Sequence, residues 1–141
     1  MKHVVGAVLF KNDTFILAKR DYDSKSYPGL FEFPGGKVEK GETQKEALIR
    51  ELKEELDIIV KEKDVIDFKN NTEIHYVKDL DLEIFLTLFL VLEWDGEMKI
   101  KKGIHSDLVY LDQKQLLNFE GFIPGDSKFV KPILKGLNRI N

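Results

Sequence analysis

Three glutamates, Glu51, Glu54 and Glu55, lie close together in a segment with the residue pattern of an α-helix. At 100° per residue, their side chains share one stripe roughly 100° wide. Like charges at this spacing destabilise a helix by about 0.2–0.5 kcal/mol per pair, so the stripe needs a stabilising partner. A divalent cation with oxygen ligands, Mg²⁺ or Mn²⁺, would be such a partner, and the chain has no cysteine to bind a softer metal. The alternative is a solvated helix face on which Arg50 pairs with its acidic neighbours.

The loop in front of this helix favours the metal site over the solvated face. Residues 35–58 read GGKVEKGETQKEALIRELKEELDI and resemble the signature of the Nudix hydrolases, G-x5-E-x7-R-E-U-x-E-E-x-G-U, in which U is a bulky aliphatic residue. The matching residues are Gly36, Glu42, Arg50, Glu51, Leu52, Glu54, Glu55 and Ile58. Asp57 stands where the signature has its late glycine. Because Asp tolerates a left-handed conformation better than most residues, we expect the helix exit to be retained.

The resemblance implies a metal-dependent hydrolase that cuts a nucleoside diphosphate linked to another group. Position by position, the metal ligands would be the carboxylates of Glu51, Glu54 and Glu55 and the carbonyl of Gly35. Glu51 would also be the leading candidate for general base. Arg50 would hold Glu51 or a neighbouring carboxylate in place through charge-assisted hydrogen bonds. The implied cofactor is Mg²⁺, with Mn²⁺ as an alternative.

Residues 32–43, EFPGGKVEKGET, resemble more closely the MutT type of this family. MutT-type enzymes convert nucleoside triphosphates to a nucleoside monophosphate and pyrophosphate. The resemblance implies that Arg20 reaches the phosphate and base side of the substrate and that Lys37 meets phosphate. Phe31 and Phe33 would line the base pocket, although we expect one of the two to belong to the core. For Arg20 and Lys37 the alternative is a solvated surface side chain.

Asp126 lies in the segment that would read the edge of the base. The stretch FIPGD, residues 122–126, aligns with that segment, and enzymes acting on oxidised guanine have Asn at the last position. Asn can donate and accept a hydrogen bond, whereas an ionised Asp only accepts. Relatives of the CTP type resemble this chain in having Asp there. The substrate is therefore left open between 8-oxo-dGTP and (d)CTP or a 5-substituted dCTP, and Asp126 could instead only cap the C-terminal helix.

Three further positions bear on the chemistry. MutT-type enzymes often have another acidic residue on the strand that ends here at LVLEW, where this chain has Leu92. The neighbouring Glu93 would point to the other face of that strand. His105 and Asp107 lie where other Nudix enzymes place a catalytic acid, with ordinary loop polarity as the alternative.

Composition limits the class of protein. The chain has 141 residues, 43% of them hydrophobic, and a net charge of −3, which fits one domain over residues 1–141 with a sizeable core. The acidic balance argues against a broad nucleic-acid surface but not against one metal-bound nucleotide. We expect a small-molecule nucleotide substrate, no nucleic-acid polymer and no membrane partner, in a cytoplasmic protein that is a monomer or homodimer.

The elements that must position these residues form a mixed α+β pattern. Apolar, β-branched runs predict a hairpin over 3–10 and 14–20 and a central strand within 81–94. Thr43 and Glu46 form a capping-box pattern, which predicts a helix from about Gln44 to near Leu56. A bend is expected at residues 34–36, short strands over 37–39 and 58–60, a hairpin turn at 94–97 and a C-terminal helix disturbed at its start by Pro132. The resemblance implies the Nudix α/β/α sandwich, a mixed curved sheet between helices.

Two other functions remain open at this point. Another Nudix substrate, such as ADP-ribose or a dinucleoside polyphosphate, is less favoured because the chain has no long insertion to hold a second nucleoside. A non-catalytic nucleotide-binding module is disfavoured because such a module would be expected to lose metal-binding carboxylates.

Overall fold

A computed structural model describes residues 2–140, so Met1 and Asn141, the two ends of the predicted domain, lie outside the described residues. The described chain forms eight strands and three α-helices, joined by loops and short 3₁₀ turns. They are β1 (Lys2–Lys11), β2 (Thr14–Arg20), β3 (Phe31–Glu32), β4 (Gly35–Lys37), α1 (Gln44–Leu56), β5 (Val65–Ile66), β6 (Thr72–Val77), β7 (Leu82–Val91), β8 (His105–Leu111), α2 (Gln113–Leu117) and α3 (Val130–Ile140).

The sheet is built around β1 and β7, which run parallel to each other. On its other side β1 pairs antiparallel with β4 near its start and with β2 near its end, and the expected hairpin of β1 and β2 is confirmed. β7 pairs antiparallel with β6 along its first part and with β5 at its end. β2 carries β3 and β8. The sheet is therefore mixed, and the prediction of a central strand within 81–94 is confirmed by the place of β7 between β1 and β5/β6.

Helices cover both faces of this sheet. On one face the apolar side of α1, including Leu48 and Leu52, packs in a buried cluster with alternate residues of β1 such as Ala7. On the other face α3 packs against the intervening residues, among them Val8 and Leu17. Because successive strand residues point to opposite faces, β1 contributes to both cores. The expected α/β/α arrangement is confirmed.

The ends of α1 follow the sequence closely. Thr43 accepts a hydrogen bond from the Glu46 amide at 3.1 Å, and the Glu46 carboxylate accepts one from the Thr43 amide at 2.9 Å. This capping box fixes the first turn. At the other end Asp57 adopts φ 57° and ψ 34°, the left-handed conformation expected at the position of the missing glycine. The helix exit is therefore retained without glycine.

Several local predictions are wrong. Gly35 and Gly36, expected in a bend, belong to β4, which pairs with β1 and ends at Lys37, so the strand expected over 37–39 starts earlier. Residues 58–60 form only a single bridge, between Ile59 and Asp95. That bridge also prevents the hairpin expected at 94–97, because the chain leaves β7 and β8 pairs with β2 instead.

The C-terminal segment starts irregularly, as the position of Pro132 predicted. A 3₁₀ turn over Asp126–Phe129 precedes the α-helix that begins at Val130. Pro132 then lies within the first turn of α3, where a missing amide hydrogen bond costs little. Within residues 2–140, no helix combines the length and the apolar character that crossing a bilayer requires.

Candidate active site

The acidic face of α1 is organised by Arg50. Its guanidinium donates to both carboxylate oxygens of Glu42, at 3.0 and 2.6 Å, and to Glu51 at 3.0 Å and Glu54 at 3.3 Å. It also donates to the Lys37 carbonyl at 3.0 Å. Arg50 therefore ties the helix to the preceding loop, and the expected contact between Arg50 and Glu51 is present. Glu42 also accepts from the Glu39 amide at 2.8 Å, which fixes the loop.

β4 lies directly against this face. A Cβ at Gly36 would stand 2.4 Å from the carboxyl carbon of Glu51, so only glycine leaves room for that carboxylate. A Cβ at Gly35 would stand 1.9 Å from the Val5 carbonyl oxygen of β1. The two glycines thus serve two different close approaches, one to a carboxylate and one to the neighbouring strand.

Glu55 is the member of the stripe that faces inward. Among residues 2–140 its Oε2 atom is buried and has no hydrogen-bond partner. Burial, together with the nearby charges of Glu32 and Glu51, raises the pKa of Glu55 to about 9. A buried carboxylate without a cationic partner is costly, and a bound cation would relieve that cost. This orphaned oxygen is the observation that makes the donor set fit a divalent metal.

The three carboxylates do not converge on one point. Within the described chain, no group of three or more acidic or histidine side chains comes together with the geometry of a metal site. Arg50 draws Glu51 and Glu54 to itself, while Glu55 points toward the interior. Burial raises the pKa of Glu51, an effect that the Arg50 guanidinium opposes. Oxygen donors from Glu51, Glu54, Glu55 and Gly35 remain the candidates to hold a metal ion.

A cavity of about 410 Å³ opens next to Glu55. Its walls include apolar side chains of β1, β6 and β7. The polar residues in its lining include Arg20, Glu32, Glu55, His75 and Asp126. The volume and the mixture of apolar and polar lining residues are those of a small-molecule site.

Asp126 lies in the wall of this cavity and is 3% exposed. Its Oδ2 accepts a hydrogen bond from the Phe33 amide at 3.4 Å rather than from a helix amide, so the capping alternative is wrong. Burial raises the pKa of Asp126 to about 7. The carboxyl group therefore changes between a hydrogen-bond donor and an acceptor-only form near neutral pH.

Arg20 also lines the cavity, but most of its donors are already used. Nε donates to the Ser26 carbonyl at 2.8 Å, and Nη2 donates to the hydroxyls of Ser24 and Ser26 at 2.8 and 2.9 Å. Nη1 donates to Glu32 at 2.8 Å. The expected reach of Arg20 toward a substrate is therefore combined with a role in holding the loop that precedes β3.

The structure does not bring every predicted residue to the cavity. Phe31 is partly buried and packs edge-on against Phe119, outside the cavity lining that the described residues form. Phe33 is buried and lies in the cavity wall, so it belongs to the core and to the cavity at once. Phe31 begins β3 and forms a bridge with Phe122 of the segment before α3. This contact keeps Phe31 out of the cavity wall. Lys37 is exposed at the end of β4 and away from the cavity wall that the described residues form.

Of the remaining polar candidates, two are exposed and one is buried. Glu93 forms an exposed ion pair with Lys11 at 3.4 Å and points away from the site. Asp107 is exposed on β8 and accepts from the Leu108 amide at 2.8 Å. His105 is buried and contacts Glu32. The sequence analysis missed Glu32 and the residues of β6 in the cavity lining. For Glu32 a signal was present, because an acidic residue between Phe31 and Phe33 is unusual in an apolar stretch.

Glu55→Gln is expected to stabilise the metal-free protein at alkaline pH. Because the folded pKa of Glu55 lies near 9 and the unfolded value is 4.5, the folded state binds the extra proton between these values and loses stability as pH rises through them. Gln removes this titration, so urea unfolding in EDTA should show a gain of up to about 5 kcal/mol at pH 8. The gain should nearly vanish at pH 5. An equal change in unfolding free energy at both pH values would contradict the buried, unpaired carboxyl.

Comparisons with known proteins agree with this geometry. The NUDIX domain family matches residues 2–132. An 8-oxo-dGTP diphosphatase of Proteus vulgaris is 40% identical over 98 residues, covering 70% of this chain and 81% of that protein. A CTP pyrophosphohydrolase of Escherichia coli is 48% identical over 58 residues, covering 41% of this chain and 42% of that protein. The solution structure of the E. coli ORF135 protein superposes with a TM-score of 0.79 at 30% identity, covering 96% of this chain and 89% of that chain. The chain therefore belongs to the Nudix family, hydrolases of phosphoric anhydride bonds that generally need a divalent metal ion.

Proposed function

We propose that this chain, acting as a single domain, is a Mg²⁺-dependent nucleoside triphosphate diphosphatase that releases a nucleoside monophosphate and pyrophosphate. The candidate substrates are 8-oxo-dGTP and (d)CTP or a 5-substituted dCTP, and the role would be to remove unwanted nucleotides from the precursor pool. The observation that carries the proposal is the cavity itself. Its lining contains both the buried, unpartnered Glu55 carboxylate and the base-facing candidate Asp126, and its volume suits a small molecule.

The lining residues suggest two subsites. The part of the lining formed by Glu55 and Gly36 adjoins the acidic face of α1 and would receive the triphosphate. The part formed by Phe33 and Asp126 would receive the base, with the Phe33 ring stacked on Phe122 at a centroid distance of 5.4 Å. The likeness to a CTP pyrophosphohydrolase covers less than half of the chain. It therefore supports (d)CTP as one candidate beside 8-oxo-dGTP.

In the proposed mechanism each residue has a defined task. A bound Mg²⁺ would neutralise the diphosphate and lower the pKa of a bound water. Glu51 accepts the proton of the attacking water, and its partial burial favours the protonated state that results. Arg50 orients Glu51, and Glu42 anchors Arg50. Arg20 and the serines that it binds close one side of the cavity.

A panel of normal, oxidised and methylated nucleoside triphosphates, each assayed with Mg²⁺ for pyrophosphate, tests the proposal. We expect one of the candidate substrates to lead the ranking and activity to vanish in EDTA. ADP-ribose and dinucleoside polyphosphates belong in the same panel. Faster release of AMP from ADP-ribose than of pyrophosphate from any triphosphate would replace the proposal by the ADP-ribose alternative. Nucleotide binding without turnover would favour a non-catalytic module.

Gly36→Ala and Gly35→Ala form a matched pair that separates activity from folding. At Gly36 the added methyl meets the flexible carboxylate of Glu51, which can rotate away, so stability should change by less than about 1 kcal/mol. Displacing the general base should still lower kcat about 10²-fold. At Gly35 the methyl meets β1 backbone, and a loss of about 3 kcal/mol or more is expected. Urea unfolding and steady-state kinetics measure both, and a Gly36→Ala protein with unchanged kcat would contradict the placement of Glu51.

A further inference from the structure

His105 is a buried side chain that the proposed reaction does not use. It begins β8, opposite Arg20 in the register with β2, and its side chain is fully buried. Its Nε2 lies 2.9 Å from Oε2 of Glu32, and since an ionised carboxylate only accepts, Nε2 is the donor. Within the described chain, the other ring nitrogen, Nδ1, has no hydrogen-bond partner. The ring is therefore held by one polar contact, the one to Glu32.

Glu32 connects His105 to the substrate cavity. Its second oxygen, Oε1, accepts from Arg20, and its side chain is 12% exposed in the cavity wall. Arg20 in turn binds Ser24 and Ser26, which lie in the loop of residues 21–30, called here the cavity loop. Ser24, Ser26 and Tyr27 of that loop line the cavity. Four side-chain contacts thus run unbroken from β8 to the loop that closes one side of the site.

The surroundings of Glu32 show why its second oxygen needs a donor. Two other carboxyl groups are close enough to feel its charge, those of Glu55 and Asp126. Without His105, the oxygen Oε2 would be desolvated between like charges and would compete for the Arg20 guanidinium. Turning Arg20 toward the second oxygen would withdraw it from Ser24 and Ser26. The donor at His105 is what leaves Arg20 free to hold the loop.

We propose that His105 is a positioning residue that sets substrate affinity: through Glu32 and Arg20 it holds the cavity loop against the nucleotide site. The inference deepens the proposed function and rests on it for the kinetic part of its test. It assigns His105 no contact with the reacting atoms. Its effect is therefore expected in KM, since a loosened loop weakens substrate binding without moving Glu51 or Arg50.

His105→Gln and His105→Leu form the central comparison. The Gln amide can place a donor near the position of Nε2, whereas Leu fills similar space without any donor. His3→Leu is the control, because His3 is exposed on β1 and packs against Phe85, away from the contacts of Glu32. One readout is tryptic cleavage after Lys25, the exposed residue between Ser24 and Ser26, measured without metal or nucleotide. The other is kcat and KM for the best triphosphate of the panel.

We expect His105→Leu to raise both the rate of cleavage after Lys25 and KM about tenfold, the effect of losing one hydrogen bond to a charged group. We expect kcat to change by less than about threefold, because the groups on α1 are untouched. His105→Gln should restore both quantities to within about threefold of wild type, since it returns the donor. His3→Leu should match wild type in both.

Three results would overturn the role proposed for His105. Wild-type cleavage and KM in His105→Leu would overturn the inference, and so would a loss confined to kcat. Equal acceleration in the Leu and Gln variants, in proportion to a fall in urea midpoint, would mean that His105 acts only in folding and would also overturn it. Should the Leu variant not fold, Glu32→Gln breaks the same chain of contacts and carries the same expectation. The proteolysis needs no substrate, so a wild-type protein that releases no pyrophosphate would refute the proposed function while this test still decides the role of His105.

Discussion

Glu54→Gln is expected to abolish pyrophosphate release while leaving the fold intact. The Glu54 side chain is 57% exposed, and its contact is one hydrogen bond from Arg50 at 3.3 Å. A substitution at such an exposed position changes stability by about 0.5 kcal/mol or less. If Glu54 holds the metal ion, its loss removes several kcal/mol of transition-state stabilisation and should lower kcat about 10³-fold. Single-turnover kinetics with Mg²⁺, next to a urea unfolding curve, measure the two effects.

Glu39→Gln is the matched control for this variant. Glu39 is also exposed and also lies near Arg50, at 3.9 Å, but it is outside the proposed ligand set. The control therefore weakens an ion pair of Arg50 without removing a metal ligand, and kcat should stay within about threefold of wild type. Substantial pyrophosphate release by Glu54→Gln would contradict the assignment of Glu54 as a metal ligand. Equal losses in the two variants would instead assign the effect to Arg50.

Asp126→Asn is expected to change the ranking of bases by about 10²-fold or more, since a site built around one hydrogen-bonding pattern rejects its mismatch strongly. An ionised Asp126 only accepts, so it suits an amino-bearing edge such as N4 of cytosine. Asn both donates and accepts and can serve O6 and N7–H of 8-oxoguanine. The ratio of kcat/KM for 8-oxo-dGTP over dCTP should therefore rise in Asp126→Asn. The nucleotide panel, repeated on this variant, measures the ratio.

The same ratio should depend on pH in the wild-type protein. Burial and the charge of Glu32, opposed by the Phe33 amide and Arg20, raise the pKa of Asp126 to about 7. Below that pH the protonated group can donate, as Asn does, and above it the group only accepts. The ratio for 8-oxo-dGTP over dCTP should therefore fall as pH rises through 7. His75 lies beside Gly125, so the Asn variant is needed to show that the titrating group is Asp126.

Asp107→Asn supplies the control for this pair of expectations. It makes the same chemical change on an exposed residue of β8 whose carboxylate accepts from the Leu108 amide. It should leave both the ranking and its pH dependence at wild-type values. An unchanged ranking in Asp126→Asn, or an equally steep pH dependence, would show that Asp126 does not read the base.

Features that depend on local sequence could be predicted, and they include most of the catalytic helix. The capping box at Thr43, the helix limits and the left-handed exit at Asp57 depend on residues within one or two turns. The resemblance to the signature implied that Arg50 holds Glu51 or a neighbouring carboxylate, and Arg50 contacts both Glu51 and Glu54. The α+β class with a mixed sheet followed from the apolar, β-branched runs of β1 and β7 and the apolar face of α1. The α/β/α sandwich was implied by the resemblance to the Nudix family.

Features that depend on distant pairing could not be predicted. Nothing in the WDGE stretch shows that Asp95 bridges Ile59 and that β8 crosses to β2, so the expected hairpin was wrong. The partner of Glu32 is 73 positions away, at His105, and only the register of β8 on β2 brings them together. Phe31 and Phe33 are equivalent in sequence, and only tertiary packing places Phe33 in the cavity wall and Phe31 against Phe119. The site residues that were missed are those whose positions are set by tertiary contacts.

The most direct test of the central claim, that the carboxylates of α1 direct metal-dependent cleavage within a triphosphate, is a ³¹P NMR spectrum of the products. Wild-type protein is incubated with the best nucleotide of the panel and Mg²⁺, and a parallel sample contains EDTA. We expect the signals of a nucleoside monophosphate and pyrophosphate with Mg²⁺, and unchanged triphosphate in EDTA. A nucleoside diphosphate with orthophosphate, or the same pyrophosphate signal in EDTA, would contradict the account.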